Sequence, residues 1–552
     1  MRKLKTKAAA VFLTGVMVAA TLTGCGSSSK EAEGKVVTIC KQSAITDMDP
    51  QVTGMTNNME MVSATVEGLY KMSANGTAVP GMAASTEVSE DGLTWTFTIR
   101  DDAKWTNGDS VTAYDFEYGF KRSCNPELDN GDNNNDLMIT LGVVNASEIY
   151  NGEKDYTELG VEATDEHTFV IHLTHSVPYF TDFLTYSRFS PMNQKFCEEK
   201  GAEFAQGSEN CIANGPYYID EWELEANTWA LKKNPNYYDA ANVKVDTIEF
   251  QVIEDTQQAA LAFENGDVDF TCISGEQVEL WTSKEEFHQA EYGVISFIFP
   301  NMANEYLGND NIRKALSYSI DRETLCNTVL KDGSIPANYM TAKGLSFNEA
   351  GVDFRDYTGT EYQKYDPEKA LEYWNEGLKE LGVDSVELTY TTSDAETASA
   401  IAVFLQNRWE TNLPGLTINI RSVPSKQRYE ELFSGDYEMT SVGWESNYPD
   451  PLNHLELFKI GGACNLNGYD SEEYTDIITR ATSGDLSGNF DERWNELSRA
   501  EKILLEDDCA IYPTYQNGVS YLLNTKVTGL AHHIWGAEFT YADLDGMWQS
   551  RE

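Results

Sequence analysis

Apolar and polar positions alternate most clearly between Gly81 and Arg100. Trp95, Phe97 and Ile99 interleave with Thr94, Thr96 and Thr98, which predicts a strand with one apolar and one polar face. Trp105-Thr106-Asn107-Gly108-Asp109 reads as a turn, residues 111–122 as a helix, and Asn125 to Asp136 as an exposed loop. His167 to His175 predicts a second alternating strand, and Val36 to Cys40 another. Residues 214–254 hold several strands, broken at Asn214-Gly215-Pro216 and Lys233-Asn234-Pro235-Asn236. Helical spacing takes over later. Asp310 to Leu330 reads as two short helices, the second capped by Asp321. Asp366 caps a further helix, Pro367 suits its first position and Gly382 its stop, with Leu371, Trp374, Leu378 and Leu381 on one face. Strands and helices mix without a strict βαβ rhythm, so an α/β protein with mixed sheets is expected.

The 552 residues suffice for more than one domain. A formal net charge of −49 repels phosphate backbones and anionic lipid headgroups, which removes nucleic acid as a partner. With 41% hydrophobic and 11% aromatic residues the chain still buries a core rather than staying disordered. Nine cysteines include no C-x-x-C, so no structural zinc site is expected. Cys197 and Cys211 are the close pair and a candidate disulfide; the others read as buried thiols.

Arg2, Lys3, Lys5 and Lys7 precede an apolar stretch from Ala8 to Leu22. This is the layout of a secretory signal over residues 1–24, its apolar run of about 15 residues falling short of the roughly 20 that span a bilayer. Leu22-Thr23-Gly24-Cys25 resembles a bacterial lipobox. The resemblance implies that Cys25 becomes an acylated first residue, with 25–35 as a flexible leash at the extracytoplasmic face of the cell membrane.

No G-x-S-x-G, H-E-x-x-H or G-x-x-x-x-G-K-[ST] run occurs. On a strand, His167 and His175 share a face and His172 lies opposite, so the three do not converge. His288 and His454 stand alone, and the adjacent His532 and His533 diverge if extended. No catalytic residue, metal or cofactor is expected.

Four segments then converge: DGLTWTFTIRDDAKWTNGDSVTAYDFEYGFKR (91–122), NGPYYIDEW with KKNPNYYDA (214–222 and 232–240), NIRKALSYSIDRETL (311–325) and GDYEMTSVGWESNYPDP (435–451). In this order they resemble the oligopeptide-type (family 5) solute-binding proteins of ABC transporters. The resemblance implies a periplasmic-binding-protein-like fold with two lobes. Residues 36–58, 213–301 and 512–552 would form the first lobe, 59–212 an extra domain on it, and 302–511 the second lobe. Crossovers near 301 and 511 would be the hinge. It further implies a monomeric receptor that closes on an extended oligopeptide and passes it to permease subunits, with another solute such as an oligosaccharide, or a surface hydrolase, as alternatives.

The strips implied to pair with ligand backbone are Ala44-Ile45-Thr46 and Val442-Gly443-Trp444-Glu445. Gly443 lets a backbone approach, and Trp444 walls a side-chain pocket; a bulge with a core tryptophan is the other reading. Relatives place an aspartate at position 447 for the ligand ammonium, and some an arginine at position 441 for its carboxylate. Here these are Asn447 and Ser441. An amide cannot neutralise an ammonium, so Glu445 or Asp450 supplies the charge or the ligand lacks a free amino terminus. Asp450 reads equally as a turn residue between Pro449 and Pro451.

Overall fold

The computed structural model describes residues 34–128, 135–224, 226–348, 350–462 and 464–546. The signal segment, Cys25 and nearly all of the leash lie outside them, as do 129–134 of the expected Asn125–Asp136 loop.

Among the described residues, one 11-stranded mixed sheet organises the molecule. Its path runs Leu416–Val423, Val386–Ser393, Met439–Trp444, Phe287–Pro300, Tyr512–Leu523, Phe270–Ile273, Val36–Lys41, Thr247–Val252, Thr228–Lys233 and Tyr217–Asp220. The short strand Ile335–Pro336 joins Tyr512–Leu523 off this path. Val36–Lys41 pairs parallel with both neighbours, and Val386–Ser393 with both of its own. The remaining pairs on the path are antiparallel.

Two strands, Phe287–Pro300 and Tyr512–Leu523, are far longer than the rest because each serves both halves of this sheet. Glu291 pairs with Gly518, but the next match is Ile295 with Gln516, so Tyr292-Gly293-Val294 bulge against Asn517. A second slip lies between Ser296 and Phe297. The backbones crowd at this crossing. A Cβ on Gly293 would meet the Ile534 carbonyl oxygen at 2.2 Å, and one on Gly518 the Gly333 carbonyl carbon at 2.1 Å. One of these strands ends at Pro300 and the other begins at Tyr512, beside the expected crossovers near 301 and 511, and the pairing slips lie inside the strands.

Residues 59–212 carry a separate antiparallel sheet in the order Ala83–Val88, Thr94–Ile99, Thr168–His172, Val161–Ala163. The helix Ala113–Ser123 covers one face, its Phe116 and Phe120 rings 5.8 and 5.4 Å from Phe169. Thr94–Ile99 alternates as expected, with Phe97 and Ile99 buried. Thr168–His172 does not: Phe169, Val170 and Ile171 are all buried. Val170 pairs with Thr96 on one side and Glu162 on the other and is 8% exposed, although it lies on the face opposite Phe169 and Ile171.

The helix Pro367–Leu381 starts at Asp366, whose carboxylate accepts from Lys369 N at 3.0 Å, and ends at left-handed Gly382. Its buried face is centred on Ala370, Trp374 and Gly377, not on Leu371, which is 37% exposed. The candidate Cys197–Cys211 bridge is not formed. Cys197 faces the Tyr118 hydroxyl and Cys211 donates to the Gly207 carbonyl, so the sulfurs point at different partners, and the eight described cysteines are free thiols.

Asp450 is also placed differently from the ligand-contact expectation. It is 4% exposed and bonds both oxygens to Arg493, at 2.7 Å each, while Arg493 is fully buried and also donates to the Ala481 carbonyl. Asp450 Oδ1 further accepts from Leu452 N at 2.9 Å. The carboxylate is consumed in anchoring the Pro449–Pro451 turn to the helix Phe490–Lys502. Arg493→Met leaves that carboxylate buried without a partner, and urea unfolding is expected to show a loss of about 3–5 kcal/mol.

Candidate functional site

The strand Met439–Trp444 pairs along its whole length with Phe287–Pro300, from Pro300 opposite Met439 to Ile295 opposite Trp444. Its other edge is paired only at Met439 and Thr440, by Tyr390 and Thr391. From Ser441 to Trp444 that edge carries no strand among the described residues. Gly443 is exposed, and a Cβ there would meet nothing closer than Val294 Cγ1 at 3.5 Å. The protein itself therefore does not require glycine at 443, and the space over it is open. Trp444 is half-buried and donates from Nε1 to Asn453 Oδ1 at 3.2 Å, which fixes the indole beside this edge.

A second backbone strip lies at Ala44–Thr46. Ile45 is fully buried, Ala44 half-buried and Thr46 exposed. Thr46 N donates to Asn58 Oδ1 at 3.0 Å, from the helix Thr56–Thr65. The peptide groups of Ala44 and Ile45 make no hydrogen bond among the described residues. Buried backbone groups are nearly always paired, so this strip lacks the partners that such groups take.

Beyond the strand, Glu445 turns inward. Burial raises its pKa, while the Tyr292 hydroxyl, which donates to it, opposes the rise. Tyr292 comes from the bulge of the crossing strand, so that irregularity aims a side chain at the end of the open edge. Ser446 is buried, its hydroxyl donating to the Gly293 carbonyl at 2.7 Å. Asn447 is half-buried, and its side chain makes no hydrogen bond among the described residues. Tyr448 is buried, stacked at 4.3 Å on Tyr179 and 4.9 Å from Phe183, both from residues 59–212.

Two more acids complete the group. Glu60 is 1% exposed, pairs with Lys41 and accepts from Phe539 N at 3.1 Å. The Glu538 carboxyl makes no ion pair among the described residues; burial chiefly, then Glu60 and Glu445, push it up to about 7 against the opposing pull of Lys41. Lys41 is raised: burial acts to lower it, and Glu60 beside it outweighs that. His532 and His533 are pushed down to about 4 by burial and add no charge at neutral pH. Glu60 and Glu538 thus share Lys41, while Glu445 lies near enough to Glu538 to raise it and has the Tyr292 hydroxyl as its own partner.

Sequence reasoning placed Gly443, Trp444, Glu445, Asn447 and the Ala44–Thr46 strip, and the structure sets Ser441 and Val442 on the same open edge. It missed Tyr292, Glu60, Glu538 and Lys41. Only Lys41 carried a local signal, as a lysine closing the otherwise apolar strand VVTICK.

The candidate site thus consists of an open strand edge, a backbone strip without partners and a group of buried acids. The family model for bacterial extracellular solute-binding proteins, family 5 (middle region), matches residues 77–463, more than half of the chain. A dipeptide-binding protein of Lactococcus lactis subsp. cremoris is 31% identical over 547 residues, covering 96% of each chain. Among solved structures, Listeria monocytogenes OppA bound to peptide is 30% identical with a TM-score of 0.78, covering 94% of this chain and 100% of that one. The substrate-binding domain of an oligopeptide ABC transporter from Bacillus anthracis is 33% identical with a TM-score of 0.79 and the same coverage. The chain belongs to the family 5 bacterial extracellular solute-binding proteins.

Glu538 keeps a proton in the native state that the unfolded chain has already lost between the ordinary glutamate pKa and about 7. The unfolded state then binds fewer protons, so stability falls as pH rises through that window. Unfolding free energies from urea titrations at pH 5 and pH 8 are expected to show a smaller fall for Glu538→Gln than for wild type, by about 1–2 kcal/mol. Equal falls would mean that Glu538 ionises as freely as in solution.

Proposed function

We propose that this chain is the lipid-anchored receptor of an ABC importer. It captures an oligopeptide between two lobes outside the cytoplasm and hands it, unchanged, to permease subunits. Cys25 is the acylation site in this reading, and the receptor works as a monomer. Residues 36–58, 213–301 and 512–552 form one lobe, 59–212 ride on it, and 302–511 form the other. The hinge is the slipped segment of the two crossing strands, around 292–294 and 517.

One observation carries this reading: two strips of backbone, Ala44–Ile45 and Val442–Trp444, have unclaimed hydrogen-bonding groups, and the lobe assignment proposed here puts one strip on each lobe. An extended peptide adds to such strips as a strand does, gaining affinity without reading its side chains. Gly443 admits its backbone and Trp444 walls one side-chain pocket. Glu445, held by Tyr292, with Glu538 beyond it, supplies the negative charge that Asn447 lacks. The ligand ammonium takes the place of a missing cation among Glu60, Glu445 and Glu538. Contacts to both strips exist only when the lobes meet, so binding shifts an open–closed equilibrium. The relatives named for dipeptide and oligopeptide binding support peptide as the solute.

Two substitutions test the site by isothermal titration against short peptides. Gly443→Leu fills the space over the open edge and is expected to weaken every peptide at least about tenfold, with a change in unfolding free energy within about 0.5 kcal/mol. Asn447→Asp is expected to tighten peptides with a free amino terminus and leave their acetylated forms unchanged. Identical affinities across the panel would remove Asn447 from the site, and failure of wild type to bind any peptide would sink the reading.

A further inference from the structure

The two lobes of the proposed receptor also meet away from the open edge. Tyr448 follows Asn447 directly, and its ring is stacked 4.3 Å from that of Tyr179 and lies 4.9 Å from that of Phe183. Tyr448 belongs to residues 302–511, whereas Tyr179 and Phe183 belong to 59–212. The three side chains are 2%, 5% and 0% exposed, so their rings shield one another from water.

Both sides of this joint are anchored. The Tyr448 hydroxyl donates to Glu456 Oε1 at 2.6 Å, and two residues further on Asp450 is held by Arg493, so the ring is fixed to its own lobe. On the other side, Phe183 lies 5.1 Å from Phe189, Phe189 5.6 Å from Phe120, and Phe120 5.4 Å from Phe169 of the four-stranded sheet. A row of rings therefore runs from Tyr448 into the core of 59–212. Pulling Tyr448 out of that row uncovers apolar faces of all three side chains, which water disfavours. None of the three belongs to the backbone strips at 44–46 and 441–445.

We propose that Tyr448, Tyr179 and Phe183 form a latch that holds the lobes shut and raises the affinity for every ligand alike. The inference rests on the two-lobe peptide reading above and gives residues 59–212 a part in it. Closing buries these rings whatever solute lies in the cleft, so the joint contributes one fixed factor to the closing equilibrium. A receptor that closes less readily loses apparent affinity by that same factor. The three are positioning residues: they hold the segment of Glu445 and Asn447 over the solute without selecting among solutes.

The test is isothermal titration and stopped-flow release with tri-, tetra- and penta-alanine and their acetylated forms. Tyr179→Leu keeps an apolar side chain and loses the stack. It is expected to weaken every peptide that wild type binds by one common factor of about three to ten, carried by faster release. Tyr179→Phe restores a ring and recovers most of the loss. Tyr448→Leu has the same signature, and the double variant loses less than the product of the two single factors, because both remove one contact. A factor that differs from peptide to peptide overturns the proposal, since the ring would then be touching the solute. Unchanged affinity, or single factors that multiply, overturns it too. Hydroxyl-radical footprinting of wild type needs no variant: Tyr179 and Tyr448 are expected to be oxidised faster without peptide than with the tightest-binding of these peptides at saturation. If wild type binds peptide and the two rates are equal, only this inference fails; if it binds none, the peptide reading fails with it.

Discussion

The backbone ladder between Phe287–Pro300 and Tyr512–Leu523 is the constraint on which the rest depends. These strands belong to both halves of the large sheet, so every other strand is positioned by reference to them. A continuous ladder would fuse the halves into one stiff plate. The slip at 292–294 against 517 interrupts it, and Gly293 and Gly518 let neighbouring backbone close over the gap. The same irregularity delivers Tyr292 to Glu445 and the Gly293 carbonyl to Ser446. The pairing slip and the open edge are therefore tied together by the same few residues.

Charge is distributed with a division of labour. Where an acid and an arginine meet in the interior, as Asp450 with Arg493, the pair is fully bonded and holds a turn in place. Near Glu445 the balance is different: the Glu538 carboxyl makes no ion pair among the described residues, and burial raises both acids. Uncompensated buried charge costs stability. The Tyr448 ring, stacked on Tyr179, holds the segment after Asn447 against residues 59–212 and limits how the edge can shift.

Much of the fold was readable locally. The threonine alternation of 94–99, the Asp366–Gly382 helix and the strand opening at Val36 depend on nearest neighbours and on capping chemistry, which a sequence displays directly. The errors are equally physical. Thr168–His172 lost its alternation at Val170, which is buried between its cross-strand neighbours Thr96 and Glu162, and Leu371 faced outward because Trp374 and Gly377 met a neighbouring helix instead. Cys197 and Cys211 stood close in number, but each thiol was turned toward a different partner.

For the site, the residue order alone determined the family resemblance, the Gly443-Trp444 edge and the anomaly at Asn447, because these sit in one short run whose chemistry is self-evident. Only the tertiary structure decided which charges face that run. Asp450 follows Asn447 closely along the chain and yet is spent on Arg493, while Glu538 and Tyr292 arrive from outside that run. Electrostatic coupling acts through space over a few ångströms, and nothing in the order of residues encodes which side chains folding will bring within that range.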